Sequence, residues 1–272
     1  MTNTKLLSLK LKRNCHPSSF TDYSILLLSI IYPFFITFVF IFNKLTAAKY
    51  KYKFMITISI IILTSLISYQ AFRDHSLADK LIFQPAEVRD GQWYRLLTYG
   101  LLHADFTHLL FNMFTFYLFG SSIEAIFKGY LGTAHGSMAF LMLYIGGLVF
   151  SILPTYLKQK DNYYYKGLGA SGAVSAVVFA YILINPMNFM GIFLIPIMLP
   201  AFLFGFIFVF ISMYLDKKQV GGINHSAHVA GGLFGVALTV VVFLVLTQDN
   251  LLLNFIHQIR ITSLGQLFRI GF

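Results

Sequence analysis

Residues 226–247 read SAHVAGGLFGVALTVVVFLVLT, a run without a charged side chain that is long enough to cross a membrane as a helix. The chain is 57% hydrophobic and 11% charged, and its mean hydropathy is +0.74. These values predict an all-α, polytopic transmembrane helix bundle and exclude a soluble globular protein. Further apolar stretches lie at 23–42, 54–70, 106–119, 137–155, 171–185 and 190–215.

The segments between these stretches are too short for a soluble domain, so a single membrane domain is predicted. Residues 54–247 are expected to form its core, after a basic tail at 1–22 and an extra hydrophobic helix with a basic loop at 23–53. Residues 248–272 mix apolar and basic groups and are predicted to form an amphipathic tail along the membrane surface. Cys15 is the only cysteine, which excludes an intrachain disulfide and a cysteine-based metal cluster.

The net charge is +10, and the basic residues fall in tails and loops beside the apolar stretches. In those places they contact anionic lipid, so the lipid bilayer is an expected partner and nucleic acid is not. If all seven stretches span, the two sides hold 13 and 7 Lys and Arg residues, which places the loop at 71–105 in the cytoplasm. If the first stretch stays at the interface, the counts are 11 and 9 and this loop faces outward. Both orientations stay open.

Ser171 lies at the start of an apolar stretch, within the sequence GLGASGAV, and is flanked by Gly169 and Gly172. The first turn of a helix has free backbone N–H groups and the positive end of the helix dipole, which suit a nucleophile whose attack creates an oxyanion. Position 173 is alanine, where the elbow motif of soluble hydrolases requires glycine. The alternative is a serine that bonds to its own helix or allows two helices to pack.

His228 begins a face of small residues that continues with Gly231 and Gly235. On the serine helix, Gly172 and Ala176 form a matching face, so the two helices are predicted to pack backbone to backbone. Such packing would bring the imidazole within about 3 Å of the serine hydroxyl, where a neutral ring can act as the base. The alternative is an ordinary hydrogen-bonded histidine in the core.

All ten acidic residues lie in tails, loops or the ends of stretches, so the pattern favours a Ser-His dyad without a buried aspartate. His108 and Asn112 are one helical turn apart and are predicted to form an oxyanion hole with the Ser171 backbone N–H. Interhelical hydrogen bonding is the alternative for both side chains. A metal site lacks matching carboxylate or cysteine ligands, so neither metal nor cofactor is predicted; its candidate ligands would be His103, His108, His225 and His228.

The same residues, in this order and in apolar helices, resemble the rhomboid family of intramembrane serine proteases. The resemblance covers about residues 54–247 and rests on RLLT at 95–98, His103 with His108 and Asn112, Gly120 with Glu124, GASG at 169–172, and His228 with Gly231 and Gly235. It implies a six-helix core to which the segment 23–53 adds one N-terminal helix.

The family also implies roles for individual residues. Ser171 would be the nucleophile, His228 the base, and His108 with Asn112 the oxyanion hole. Structural support would come from Arg95 and Glu124, which hold the loop at 71–105 partly in the membrane, and from His103, Gly169, Gly172, Gly231 and Gly235. Position 175 is serine, where many members carry an aromatic ring that stacks on the catalytic histidine, so another neighbour is expected to orient His228.

The implied function is that of a serine endopeptidase that cleaves single-pass transmembrane proteins in or near their membrane segment. A catalytically silent member that binds membrane proteins as a scaffold is the alternative, and a transporter or channel comes third. A bacterial cytoplasmic membrane is favoured. The mitochondrial inner membrane is the other location, because mitochondrial members with an added N-terminal helix carry the core in inverted orientation. The oligomeric state is not predicted.

Overall fold

The computed structural model describes residues 55–191, 197–218 and 223–270 of the chain. The backbone of this part is mostly helical, as the apolar stretches predict. In chain order the helices are α1 (Ile56–Ala71), α2 (His75–Leu81), α3 (Pro85–Arg89), α4 (Arg95–Thr98), α5 (Phe106–Leu131), α6 (Thr133–Gln159), α7 (Ser171–Ile184), α8 (Ala201–Lys218), α9 (His225–Thr247) and α10 (Leu251–Gln258), with 3-10 turns at Tyr99–Leu101 and Leu264–Gln266.

Six long helices form the body of the described fold, and they are α1, α5, α6, α7, α8 and α9. They confirm the predicted all-α bundle with a six-helix core. The predicted tail at 1–22 and extra helix at 23–53 lie outside the described residues. The predicted C-terminal tail at 248–272 contains α10 and a short strand.

By length and composition, α5, α6 and α9 can each cross a membrane, whereas α1 and α7 are shorter apolar helices. A helix of 26 residues such as α5 extends about 39 Å, more than the hydrocarbon core of a bilayer. The helix is therefore longer than the stretch predicted at 106–119. The helix continues to Leu131 because the polar side chains of Ser121, Glu124 and Lys128 are buried within the bundle.

A single residue, Gly132, joins α5 to α6. Its φ of 77° lies in the left-handed region that glycine adopts without strain. Four residues later, a Cβ on Gly136 would overlap the backbone of Phe127 and Lys128. The absence of both side chains lets α5 and α6 form a tight helical hairpin.

The predicted helix at 190–215 begins only at Ala201, which corrects its N-terminal boundary. The residues before it form β1 (Phe189–Gly191) and β2 (Ile197–Pro200), which pair antiparallel. β2 also pairs antiparallel with β3 (Arg269–Ile270) from the C-terminal tail, so the strand order is β1-β2-β3. Pro200 keeps the residue before it extended and cannot donate a backbone hydrogen bond, so it separates the strand from α8.

The loop between α1 and α5, residues 72–105, folds around the buried guanidinium group of Arg95. Its Nη1 donates to the carbonyl oxygens of Asp79 and Ile82, at 2.8 and 2.7 Å, and its Nε donates to Gln92 Oε1 at 2.7 Å. These bonds tie α2, the segment after it and α4 together. Arg95 thus contacts the loop that the sequence expected it to support.

The same loop is attached to the segment that leads into α7. Phe83 and Gly167 exchange two backbone hydrogen bonds, at 3.0 and 2.9 Å. Lys166 donates to an Asp79 carboxylate oxygen at 2.7 Å, and this hydrogen bond holds the pKa of Asp79 below its usual value. The start of α7 therefore rests against an ordered loop.

Among the described residues, the hydrogen bonds of Glu124 go to the start of α1 and to Lys128, and the role expected for it in the loop stays a prediction. Its fully buried carboxylate accepts hydrogen bonds from the backbone N–H groups of Ile56 and Thr57, at 2.7 and 2.9 Å, and from the Thr57 hydroxyl at 2.7 Å. Lys128, one turn further along α5, donates to it at 2.6 Å. The first turn of α1 has free N–H groups, so Glu124 caps α1 and joins it to α5.

Replacing Glu124 by Gln is expected to destabilise the fold, because the amide keeps the shape but removes the buried negative charge that pairs with Lys128. Breaking a buried pair costs roughly 3 kcal/mol, which for a domain of this size lowers Tm by roughly 6–12 °C. Thermal unfolding in detergent measures the change. Asp249→Asn is the control, since Asp249 is exposed and makes no ion pair in the described part of the chain. Equal Tm values for the two variants would contradict the capping role.

Candidate active site

Ser171 is the first residue of α7 and follows a sharp turn at Gly169, whose φ is 113°. The Gly169 N–H donates to the carbonyl oxygen of Tyr99 at 3.0 Å, and this bond fixes the turn against the loop at 72–105. At the first position of a helix, the Ser171 backbone N–H has no partner within the helix. The hydroxyl and the N–H of one residue are thus presented together at the helix start.

His228 lies in the first turn of α9, and its position is set by the residue that caps this helix. The side-chain oxygen of Asn224 accepts from the Ala227 N–H at 3.1 Å, and its Nδ2 donates to Thr155 Oγ1 of α6 at 2.7 Å. His228 Nε2 lies 2.8 Å from Ser171 Oγ, which is hydrogen-bonding distance. The structure therefore brings the two predicted side chains into direct contact.

This contact depends on the close approach of α7 and α9. A Cβ on Gly231 would overlap the carbonyl oxygen of Gly172, and a Cβ on Gly235 would overlap the carbonyl oxygen of Ala176. The two small-residue faces noted in the sequence therefore meet backbone to backbone. Gly172 serves a second neighbour as well, because a Cβ there would overlap the side chain of Ser151 in α6.

His108 lies in the first turn of α5 and reaches the turn that precedes Ser171. A Cβ on Gly169 would lie 3.2 Å from His108 Nε2, so the imidazole covers this glycine. The Ala104 N–H donates to His108 Nδ1 at 3.3 Å, which places the proton of the neutral ring on Nε2. His108 therefore presents an N–H donor beside the serine turn.

Asn112 is buried one turn further along the same helix, and α5 packs against α7. Its Nδ2 donates to the carbonyl oxygen of His108 at 3.1 Å. An amide nitrogen carries two hydrogens, so a second donor remains. His108 therefore lies beside the turn at Gly169 that precedes Ser171, and Asn112 lies one turn further along α5.

His103 is buried behind His108, with ring centroids 5.0 Å apart in an edge-to-face arrangement. Its Nδ1 lies 3.0 Å from Ser68 Oγ, and the serine hydroxyl donates to the Leu101 carbonyl at 2.7 Å. Burial lowers the pKa of His103 to about 3, so the ring stays neutral. Within the described part of the chain, no three His, Cys, Asp or Glu side chains are arranged to hold a metal ion.

Sequence reasoning missed Phe208, an aromatic residue of α8 that stacks on His228. The ring centroids are 6.1 Å apart and the planes are 28° from parallel. The sequence expected a neighbour other than residue 175 to contact the His228 ring, and Phe208 makes such a contact. No local pattern identifies it, because the contact joins two different helices.

The sequence that forms this site matches a known protein family. The family model for the Rhomboid domain matches residues 90–245, more than half of the chain. The chain belongs to the rhomboid family. Its apolar helices agree with this membership, and the protein is an integral membrane protein.

The chain is similar to several curated rhomboid proteins. It is 36% identical over 95 residues to the putative rhomboid protease YdcA of Bacillus subtilis, and the aligned region covers 35% of this chain and 43% of that protein. It is 34% identical over 102 residues to the rhomboid protease GlpG of Haemophilus influenzae, covering 36% and 45%. With RHOMBOID-like protein 12, mitochondrial, of Arabidopsis thaliana, it shares 25% over 175 residues, covering 61% and 51%.

These matches span no more than about half the length of each relative. Both bacterial and mitochondrial proteins are among them, so the choice between the two predicted membranes stays a prediction.

Replacing Gly231 by Ala is expected to push α9 away from α7, because the added methyl group meets the rigid backbone of Gly172. Overpacking of this kind costs about 1–3 kcal/mol and lowers Tm. Gly129→Ala is the matched control: this glycine is exposed in α5, a Cβ there meets nothing within 4 Å, and helix propensity favours the change. Equal Tm values for the two variants in detergent would show that the backbones do not touch.

Proposed function

We propose that the protein is an intramembrane serine protease that hydrolyses a peptide bond in or near the transmembrane segment of single-pass membrane proteins. The observation that carries the proposal is the 2.8 Å contact between His228 Nε2 and Ser171 Oγ at the start of α7. It joins a base to a nucleophile where a helix also offers a free backbone N–H. Membership of the rhomboid family and similarity to relatives named proteases support the same reading.

In the first step Ser171 Oγ attacks the carbonyl carbon of the scissile bond while its proton passes to His228 Nε2. The carbonyl oxygen becomes an oxyanion. When the tetrahedral intermediate collapses, the carbon–nitrogen bond breaks and His228 returns the proton to the leaving amine. An acyl group remains on Ser171.

In the second step water is the nucleophile and Ser171 is the leaving group. His228 takes a proton from water, the hydroxide oxygen attacks the acyl carbon, and the Ser171 oxygen leaves and regains a proton from His228. In the described part of the chain, no carboxylate is hydrogen-bonded to His228. The reaction is therefore assigned to a dyad, with the imidazole held by its neighbours.

The oxyanion would be bound by three donors. The Ser171 backbone N–H is one, and its place at the helix start adds the favourable end of the dipole. His108 Nε2 is the second, since the Ala104 hydrogen bond fixes the proton on that nitrogen. The second hydrogen of Asn112 Nδ2 is the third.

A helical substrate hides its peptide bonds in its own hydrogen bonds, so it has to unwind locally before Ser171 can reach a carbonyl. Residues with low helix propensity near the scissile bond should therefore favour cleavage. The proposed substrate is a transmembrane helix, with the bilayer as its surroundings.

Ser171→Ala and His228→Ala are each expected to lower cleavage by at least about 10⁴-fold, because either change removes one half of the dyad. The purified chain is incubated in detergent with a model transmembrane substrate and with a fluorophosphonate probe that reacts with an activated serine. Ser175→Ala is the control, since Ser175 lies one turn further along α7 and makes no described hydrogen bond to His228. Folded wild-type protein that neither cleaves nor reacts would favour a binding scaffold instead.

His108→Ala and Asn112→Ala are each expected to lower kcat by roughly 10²- to 10³-fold with little change in KM, because an oxyanion-hole donor acts mainly in the transition state. Steady-state cleavage of the same substrate gives both constants. His135→Ala replaces an exposed histidine at the start of α6 and should leave both unchanged. A rise in KM at constant kcat would instead assign His108 and Asn112 to substrate binding.

A further inference from the structure

The His228 ring contacts two aromatic neighbours, one on its face and one at its edge. The described hydrogen bond of the His228 side chain, between Nε2 and the Ser171 hydroxyl, does not by itself fix the orientation of the ring plane, because the ring can turn about the Nε2–Oγ line. Phe208 stacks on one face, with centroids 6.1 Å apart, and His225 meets the ring edge-on at 6.0 Å. Of these two neighbours, Phe208 comes from another helix, α8.

Phe208 is itself held between α7 and α9. Its ring lies 5.8 Å from that of Phe179 in α7 and 6.5 Å from that of Phe204 one turn earlier in α8. Phe179 in turn covers Gly232 of α9, where a Cβ would lie 2.9 Å from its ring. When α8 is in place, the stacking face for His228 is therefore well defined.

The helix that supplies this face is itself lightly packed. Three of the 18 residues of α8 are buried, compared with ten of the 14 residues of α7. The other side chains of α8 include several large exposed ones, among them Phe206 and Phe210 at 66% and 75% exposure. A helix with so little buried surface can shift at smaller cost than α7 or its backbone contact with α9.

A second bond links α8 to the start of α9. Asp216, in the last turn of α8, accepts a hydrogen bond from the Ser226 backbone N–H at 3.1 Å. Ser226 precedes His228 by two residues, so α8 contacts both the backbone before the base and the ring of the base. Movement of α8 changes both contacts.

We infer that Phe208 is a positioning residue for His228, and that the position of α8 thereby controls whether the imidazole points at Ser171. The inference rests on the proposed function. With α8 in place, the stacked ring directs Nε2 at the hydroxyl. A displacement of α8 removes the stacking face, the imidazole rotates about its side-chain bonds, and proton transfer from Ser171 stops until α8 returns.

The test compares the full chain with Phe208→Ala, Phe208→Leu and Phe208→Tyr, and with Phe206→Ala as the matched control, since Phe206 is an exposed phenylalanine of the same helix. Three quantities are measured in detergent: kcat and KM for a model transmembrane substrate, and the rate of fluorophosphonate labelling. Tm is recorded for every variant. The small probe reports on the reactivity of the serine independently of substrate binding.

Phe208→Ala and Phe208→Leu should lower kcat and the labelling rate together, by roughly 10- to 100-fold, while KM stays constant. Phe208→Tyr keeps the ring and should restore both rates, and Phe206→Ala should match wild type. Phe208→Leu preserves apolar bulk without a ring, so it decides the question even where Phe208→Ala fails to fold.

Full activity in Phe208→Leu would overturn the inference, because bulk alone would then suffice. A raised KM with unchanged labelling would overturn it too, since Phe208 would then contact the substrate and not the base. Either result leaves the proposed protease function intact. A wild-type chain that neither cleaves nor reacts with the probe overturns the proposed function and this inference together.

Discussion

Helices α7 and α9 touch through their backbones, and the geometry of the candidate site depends on that contact. In hydrocarbon there is no hydrophobic drive between helices, so association relies on close van der Waals packing at small residues. Gly231 lies against the carbonyl oxygen of Gly172. Gly172 directly follows Ser171, and Gly231 lies three residues after His228. The 2.8 Å separation of hydroxyl and imidazole follows from this approach, because a side chain at Gly231 or Gly235 would force the two helix axes apart.

The turn before α7 is restrained from two sides, and this pre-forms the proposed oxyanion site. The Tyr99 carbonyl binds the Gly169 N–H, while the His108 ring covers the position where a Cβ would be. The histidine is in turn fixed by its bond from the Ala104 N–H and by the buried ring of His103. Donors held in this way need no rearrangement when charge develops, which is the property that makes such sites effective.

The helical class and the small-residue faces were accessible from the sequence because each follows from a local pattern. The pairing of Ser171 with His228 was accessible because these matching faces predict that their two helices pack together. The ends of the helices were harder to predict from the sequence. Polar residues after position 119 resembled the end of a stretch, yet Glu124 and Lys128 satisfy each other inside the bundle. Apolar residues before Ala201 resembled helix, yet Pro200 ends a strand there.

Tertiary aromatic contacts were not accessible at all from the sequence. The chain has 30 phenylalanines, and nothing in the pattern distinguishes Phe208, which meets His228 only because α8 and α9 are neighbours in space. The role of Glu124 as a cap for α1 was hidden for the same reason, since its backbone partners lie 67 and 68 residues away in the chain. Long-range contacts of this kind become visible only in the folded molecule.

The pairing of Glu124 with Lys128 also bears on how α5 enters the bilayer. A single charged side chain at the centre of a spanning helix disfavours membrane insertion by about 2.5–3.5 kcal/mol. These two residues are four apart on one helix, so the carboxylate and the ammonium group can neutralise each other as soon as α5 is helical. The nascent segment can therefore partition into lipid with its charges already compensated, and the carboxylate becomes available to α1 once the helices assemble.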